Sequence, residues 1–176
     1  QTCALPIFGR YSEELLRALL MQPNAPEFFV LATPAGVARL ADITSQVQIV
    51  PCSISWYSVA EQVQLPALVR SVHADLIHWT HWNVPVRSPR PFVMTVHDLI
   101  QLRYPSARAT THGAIAYAIK RMGFRLVLSQ AVRHASSIFV PTPFVAQDLA
   151  RQFPLCRDHV VVTGEGYSSL LTVPQI

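Results

Sequence analysis

Pro91-Phe92-Val93-Met94-Thr95-Val96-His97-Asp98-Leu99-Ile100-Gln101-Leu102-Arg103-Tyr104-Pro105 is the stretch that decides the fold. Phe92 to Val96 is an apolar, β-branched run of strand length, preceded by a proline and free of charge, which is the pattern of a strand buried on both faces. Such strands belong to parallel sheets. The pattern breaks at once into His97-Asp98, and in open α/β sheets ligands bind in the crevice beyond the carboxyl ends of the strands. His97 is therefore a candidate for chemistry. The plainer alternative is a histidine that hydrogen-bonds a loop carbonyl.

On either side of this stretch strands and helices alternate. Ser12 is a plausible N-cap for a helix beginning Glu13-Glu14-Leu15-Leu16, with Gly9-Arg10-Tyr11 leading into it. Glu27 to Ala32 and Val47 to Val50 read as strands separated by a short helix over Val37 to Asp42. Tyr57 to Val72 has helical spacing but holds Pro66, which predicts a kink or two pieces. Leu76 to Trp79 is the next strand, and Thr80 to Ser88 its loop. Beyond the central stretch, Thr110 to Ala135 is a long helical pattern with Ile115, Ile119, Met122 and Leu126 on one apolar face. Ser137 to Val140 is a strand, Thr142-Pro143 opens a helix running to about Phe153, and Val160 to Thr163 is the last strand. Repeated βα order implies an α/β fold, a Rossmann-like doubly wound parallel sheet.

Composition narrows the function classes. With 176 residues, 51% of them hydrophobic and a mean hydropathy of +0.29, the chain has material for one globular domain with a sizeable core. Arg125 and Arg133 interrupt the most apolar segment, so no membrane-spanning helix is expected. The three cysteines, Cys3, Cys52 and Cys156, are scattered without Cys-x-x-Cys spacing, which fits a reducing cytosol and neither a disulfide framework nor a zinc site. Net charge is +4, yet only 14% of residues are charged, so the basicity is too sparse for a nucleic-acid stripe and suits anionic lipid or a phosphorylated substrate better. Gln1 to Ile7 shares no periodicity with the residues after it and matches one reading frame of a sequencing-adapter oligonucleotide; it is expected to be a non-native scar.

Four features combine: Gly9-Arg10-Tyr11, Glu61-Gln62 with Leu65-Pro66, Asp75-Leu76-Ile77-His78 with Asn83-Val84-Pro85, and Thr95-Val96-His97-Asp98-Leu99 with Tyr104-Pro105. In order and spacing they resemble the amino-terminal, acceptor-side domain of retaining family 4 glycosyltransferases of the GT-B fold, from Phe8 to Gly166. The resemblance implies that residues 8–166 are a truncated glycosyltransferase domain, one half of a GT-B fold, and that 167–176 begin the interdomain connection. It implies a nucleotide-sugar co-substrate held by a second domain, no cofactor, and a glycan or lipid-linked acceptor bound by this half. The family opens with a strand and a Gly-x-Gly loop of which only Gly9 is present here, so the first strand is expected to be lacking and the chain to be poorly stable by itself.

His97 matches the family histidine that reaches towards the transferred sugar, where hydrogen bonding and charge stabilisation are its implied role. Gly9 and Arg10 fall where donor phosphates approach, although an arginine such as Arg10 or Arg103 is as easily a solvated or structural one. Trp79, Trp82 and Asn83 are candidates to stack on and hydrogen-bond the acceptor; for Trp79 aromatic core packing is at least as good a reading, so Trp82 and Asn83 are the acceptor-side candidates. Asp98 either orients His97 or caps the next turn, and Arg103 joins it as an acceptor-side candidate. His73, His78, His81 and His97 lack the carboxylate or cysteine partners of a recognisable metal site, so no metal is expected. Lys120, Arg121, Arg125 and Arg133 on one helix would suit peripheral contact with anionic membrane, or simply a solvated basic face. The rival readings are a non-catalytic Rossmann-like binding module and an NAD-type oxidoreductase; the second lacks its Gly-x-Gly-x-x-Gly turn.

Overall fold

The computed structural model describes residues 5–103, 113–164 and 166. Cys3, Tyr104-Pro105 and the segment 167–176 lie outside the described residues, as do the side chains of Ile115, Ile119 and Lys120. The fold is mixed α/β with parallel sheets, of the Rossmann-like class, and it is divided into two compact units, one reaching to Trp56 and the other spanning Tyr57–Gly164.

The first unit consists of α1 (Leu5–Leu20), β1 (Phe29–Ala32), α2 (Pro34–Arg39), a 3-10 turn (Thr44–Gln46) and β2 (Gln48–Pro51). β1 and β2 pair in parallel from Phe29 opposite Gln48 to Ala32 opposite Pro51. Leu16, Leu40 and Ile43 form its buried core, with Leu20, Phe28, Val30, Val47 and Ile49 packed against them. Charge closes the surface over this small core. Glu13 accepts from Arg39 Nη2 at 2.6 Å and from Arg17 Nη2 at 3.3 Å, and Arg17 also reaches Asp42 at 2.5 Å.

Two boundaries here differ from the sequence reading. α1 begins at Leu5 and not after Ser12, so Gly9-Arg10-Tyr11 is helical; Pro6 is pre-shaped for a first helical turn, and the exposed Arg10–Glu14 pair at 2.5 Å supports the added turns. Glycine inside a helix costs about 1 kcal/mol relative to alanine, which these neighbours offset. α2 starts at Pro34, three residues before the expected Val37, because the Thr33 hydroxyl accepts from Gly36 N–H and Pro34 occupies the first turn.

The second unit runs α3 (Val59–Val72), β3 (Ile77–Trp79), β4 (Phe92–Thr95), α4 (Ile100–Arg103), α5 (Gly113–His134), β5 (Ser137–Val140), α6 (Pro143–Gln152), a 3-10 segment (Pro154–His159) and β6 (Val160–Val162). Its parallel sheet has the order β3-β4-β5-β6, with Ile77 opposite Phe92, Met94 opposite Ile138, and Val140 opposite Val162. Met94, Val96, Leu128, Ile138, Val140 and Leu149 are the fully buried centre of the core. β4 thus lies inside the sheet, as its apolar run requires. α3 is one continuous helix despite Pro66, capped by the Ser58 hydroxyl accepting from Glu61 N–H at 3.0 Å.

The buried stripe of α5 corrects the expected apolar face. Phe124, Leu128, Ala131, Val132 and Ala135 meet the core, whereas Met122 and Leu126 are 69% and 56% exposed. Both sets recur at helical spacing, and periodicity alone does not say which one meets the sheet. Among the described residues the strands form two sheets and not one continuous ladder.

Candidate functional site

Parallel pairing puts every strand's carboxyl end on the same edge of the second unit's sheet. Thr80–Asn83 after β3 and His97-Asp98 after β4 therefore share that edge. His97 is half-buried, and its Nε2 lies 3.2 Å from the Thr80 carbonyl oxygen. A carbonyl only accepts, so Nε2 is the donor of this bond. The bond to the Thr80 carbonyl is the one that the plainer reading of His97 anticipates, and it also fixes the ring plane and tautomer. Asp98 Oδ1 accepts from Ile100 N–H at 2.9 Å, so of its two expected uses the cap on α4 is the one formed.

Behind His97 stands a polar network that sequence reasoning missed. Glu61 is buried at the start of α3, and its two carboxylate oxygens accept from Asn83 Nδ2 at 2.9 Å each, while Oε2 also takes the Tyr57 N–H at 2.7 Å. Burial pushes the Glu61 carboxyl above its ordinary range, partly countered by the hydrogen bonds from Asn83 and Tyr57. His81 Nδ1 accepts from Asn83 N–H at 3.2 Å, and burial, with the nearby charge of His97, lowers its pKa to about 4. Burial alone does the same to His78, down to about 4, where its Nε2 lies 2.9 Å from the Thr95 hydroxyl. The sequence signal for the network was Ser58-x-x-Glu61, the spacing of a capping box, with the carboxylate turned to the loop.

Aromatic rings pack on the same loop. Trp82 is only 5% exposed; it meets Phe124 edge-on at 4.3 Å, His81 at 4.8 Å and Tyr57 at 5.9 Å between centroids. The acceptor stacking expected of Trp82 is corrected: its ring is packed in the core against Phe124, and Asn83 spends its amide on Glu61 in place of an acceptor hydroxyl. Tyr57, which tilts against Trp82, is 57% exposed as a residue. Its backbone is left-handed, with φ 56, a conformation that costs a bulky residue on the order of 1–3 kcal/mol.

Of the other sequence-predicted residues, Gly9 and Arg10 belong to the first unit and Arg103 to the second. Gly9 is in α1 past its first turn, so it is not the loop glycine whose backbone would approach phosphate, and Arg10 pairs with Glu14. Arg103 sits 4.9 Å over the Phe144 ring and 3.6 Å from Asp148 Oδ1, on the far side of α4 from the His97-Asp98 turn in sequence. A shallow pocket lined by Pro85, Phe92, Gln130 and His134 flanks the opposite, amino-terminal end of β4. Among the described residues, no three His, Cys, Asp or Glu side chains gather as metal ligands, and no helix is long and apolar enough to cross a membrane.

No curated protein matches the sequence significantly. The family model described as Glycosyltransferase Family 4 matches residues 8–167, nearly the whole chain, and its span takes in β4, the His97 turn and the Glu61 network. The mixed α/β fold with parallel sheets is consistent with a Rossmann-like glycosyltransferase domain, and the chain belongs to Glycosyltransferase Family 4.

Proposed function

We propose that this chain is the acceptor-side domain of a retaining GT-B glycosyltransferase. It passes a sugar from a nucleotide-sugar, held by a second domain, to a glycan or lipid-linked acceptor. The nucleotide-sugar is a co-substrate, and no further cofactor takes part. The observation that carries the reading is His97 at the end of β4, its ring fixed by the Thr80 carbonyl, within the span that matches the family. A ring held in one tautomer presents a defined hydrogen-bonding atom to the sugar, and a positioned donor or acid–base group lowers the transition state far more than a mobile one.

The glutamate network serves this role from behind by holding the β3–β4 loop against α3. The parent enzyme works at the cytoplasmic face of a membrane, where the exposed Arg125 and Arg133 of α5 meet anionic headgroups beside Met122 and Leu126. The test uses the full-length protein with a panel of nucleotide-sugars and a lipid and glycan extract, reading nucleoside diphosphate release. His97→Ala is expected to lower turnover by about two to four orders of magnitude with the melting temperature little changed. Equal turnover in the variant removes His97 from the mechanism.

A further inference from the structure

Tyr57 combines three observations that a surface tyrosine does not need. The residue is more than half exposed, its backbone sits in the left-handed region, and its N–H is tied at 2.7 Å to a buried carboxylate. Glu61 is in turn held by both bonds from Asn83 and by the cap at Ser58, so the strained conformation is fixed from the interior. One edge of the ring rests towards Trp82, which Phe124 and His81 hold in place. Strain of this kind persists where the surroundings over-determine it, and it concentrates at ligand sites.

We propose that Tyr57 is the acceptor-facing aromatic of this domain, its ring covering one face of a pyranose unit while Asp98, beside His97, accepts from that sugar's hydroxyls. The proposal rests on the acceptor-side reading above. An aromatic face matches the C–H side of a sugar ring, and a carboxylate matches its hydroxyls, so the two together select a neutral carbohydrate over an anion. The residue as a whole is exposed but its phenol is partly enclosed: that burial first, then the negative charges of Glu61 and Asp98, raise the phenol and keep it neutral.

Saturation-transfer NMR on the full-length protein tests it, with methyl α- and β-glycosides of glucose, galactose and mannose as probes. Wild type is expected to bind at least one of them. Tyr57→Phe, which keeps the ring, should stay within about threefold of wild type, and Tyr57→Ala should bind about tenfold more weakly. Tyr57→Gly takes φ 56 without strain, so it should melt no lower than Tyr57→Ala while losing the same affinity. Equal affinity in wild type, Tyr57→Ala and Tyr57→Gly overturns the role of Tyr57 and leaves the acceptor-side reading standing. A wild-type protein that binds none of the probes overturns both.

Discussion

The two units are held together by different physics. In the second, the buried side chains of β4, β5, α5 and α6 interlock around Met94, Ile138 and Leu149, all fully buried. In the first, the buried core is Leu16, Leu40 and Ile43, and the most extensive tie between α1 and α2 is the ionic cluster of Glu13, Arg17, Arg39 and Asp42. Apolar burial contributes roughly 25 cal/mol per Å² and is not weakened by electrostatic screening, whereas exposed ion pairs contribute little and are screened. The candidate site belongs to the better-packed unit. A histidine whose ring must keep one orientation gains from a core that does not rearrange.

The largest expected effect is in that core. Leu149→Ala removes a fully buried side chain from α6 and should destabilise the second unit by about 3–5 kcal/mol, read as lost hydrogen-exchange protection across β4, β5 and α6. Leu16→Ala in the first unit should cost about 2 kcal/mol, since its surroundings are thinner and collapse more readily. Equal losses in both units would break the contrast.

Acid separates the units next. His78 and His81 have folded pKa values near 4, below the 6.5 of the free side chain, so both are neutral in the folded protein. Between pH 6.5 and 4 the unfolded chain binds more protons than the folded one, and stability falls as pH falls. Each histidine should withdraw about 2 kcal/mol between about pH 7 and about pH 5. Glu61 acts in the opposite sense, because its raised pKa favours the folded state as it protonates, and it offsets part of the loss. Protonating His81 at Nδ1 also breaks its bond from Asn83 N–H, so the β3–β4 loop should loosen first. Melting of the second unit at pH 7, 6 and 5 checks this; His81→Gln should flatten the slope, and an unchanged slope would remove His81 as its source.

How much of this was legible in the sequence depends on whether a signal was local. The apolar run of β4 and the Thr142-Pro143 helix start are self-contained, and they stand where the pattern puts them. Thr33-Pro34 carries the same signal as Thr142-Pro143, yet hydrophobic spacing from Val37 onward drew the helix three residues late. The face of α5 and the burial of Trp82 are decided by what packs against them, which no window of sequence contains. The Glu61–Asn83 pair is 22 residues apart, so the capping spacing hints at Glu61 but not at its partner. His97 was legible because it comes directly after a strand that could only be central.

The smallest effect tests the ionic side of the contrast. Burial raises the Glu13 carboxyl, but the guanidiniums of Arg39 and Arg17 together outweigh it and hold the group below its ordinary value. Its stabilising contribution is therefore present above the unfolded pKa of about 4.5 and is lost as pH falls through the lower folded value. Because Arg39 is half exposed and the pairs are open to solvent, screening keeps the contribution of Glu13 to about 1 kcal/mol or less. Glu13→Gln should lower first-unit stability by that amount in about 50 mM salt and by about half of it in about 1 M salt, where the screening length is near 3 Å. The second unit, which has no comparable cluster among its described residues, should give the same hydrogen-exchange protection for wild type and Glu13→Gln at both salt concentrations. A Glu13→Gln loss that is as large at the higher salt as at the lower would mean that this side chain acts by packing, and the division between an ionic and an apolar unit would fail at its weakest joint.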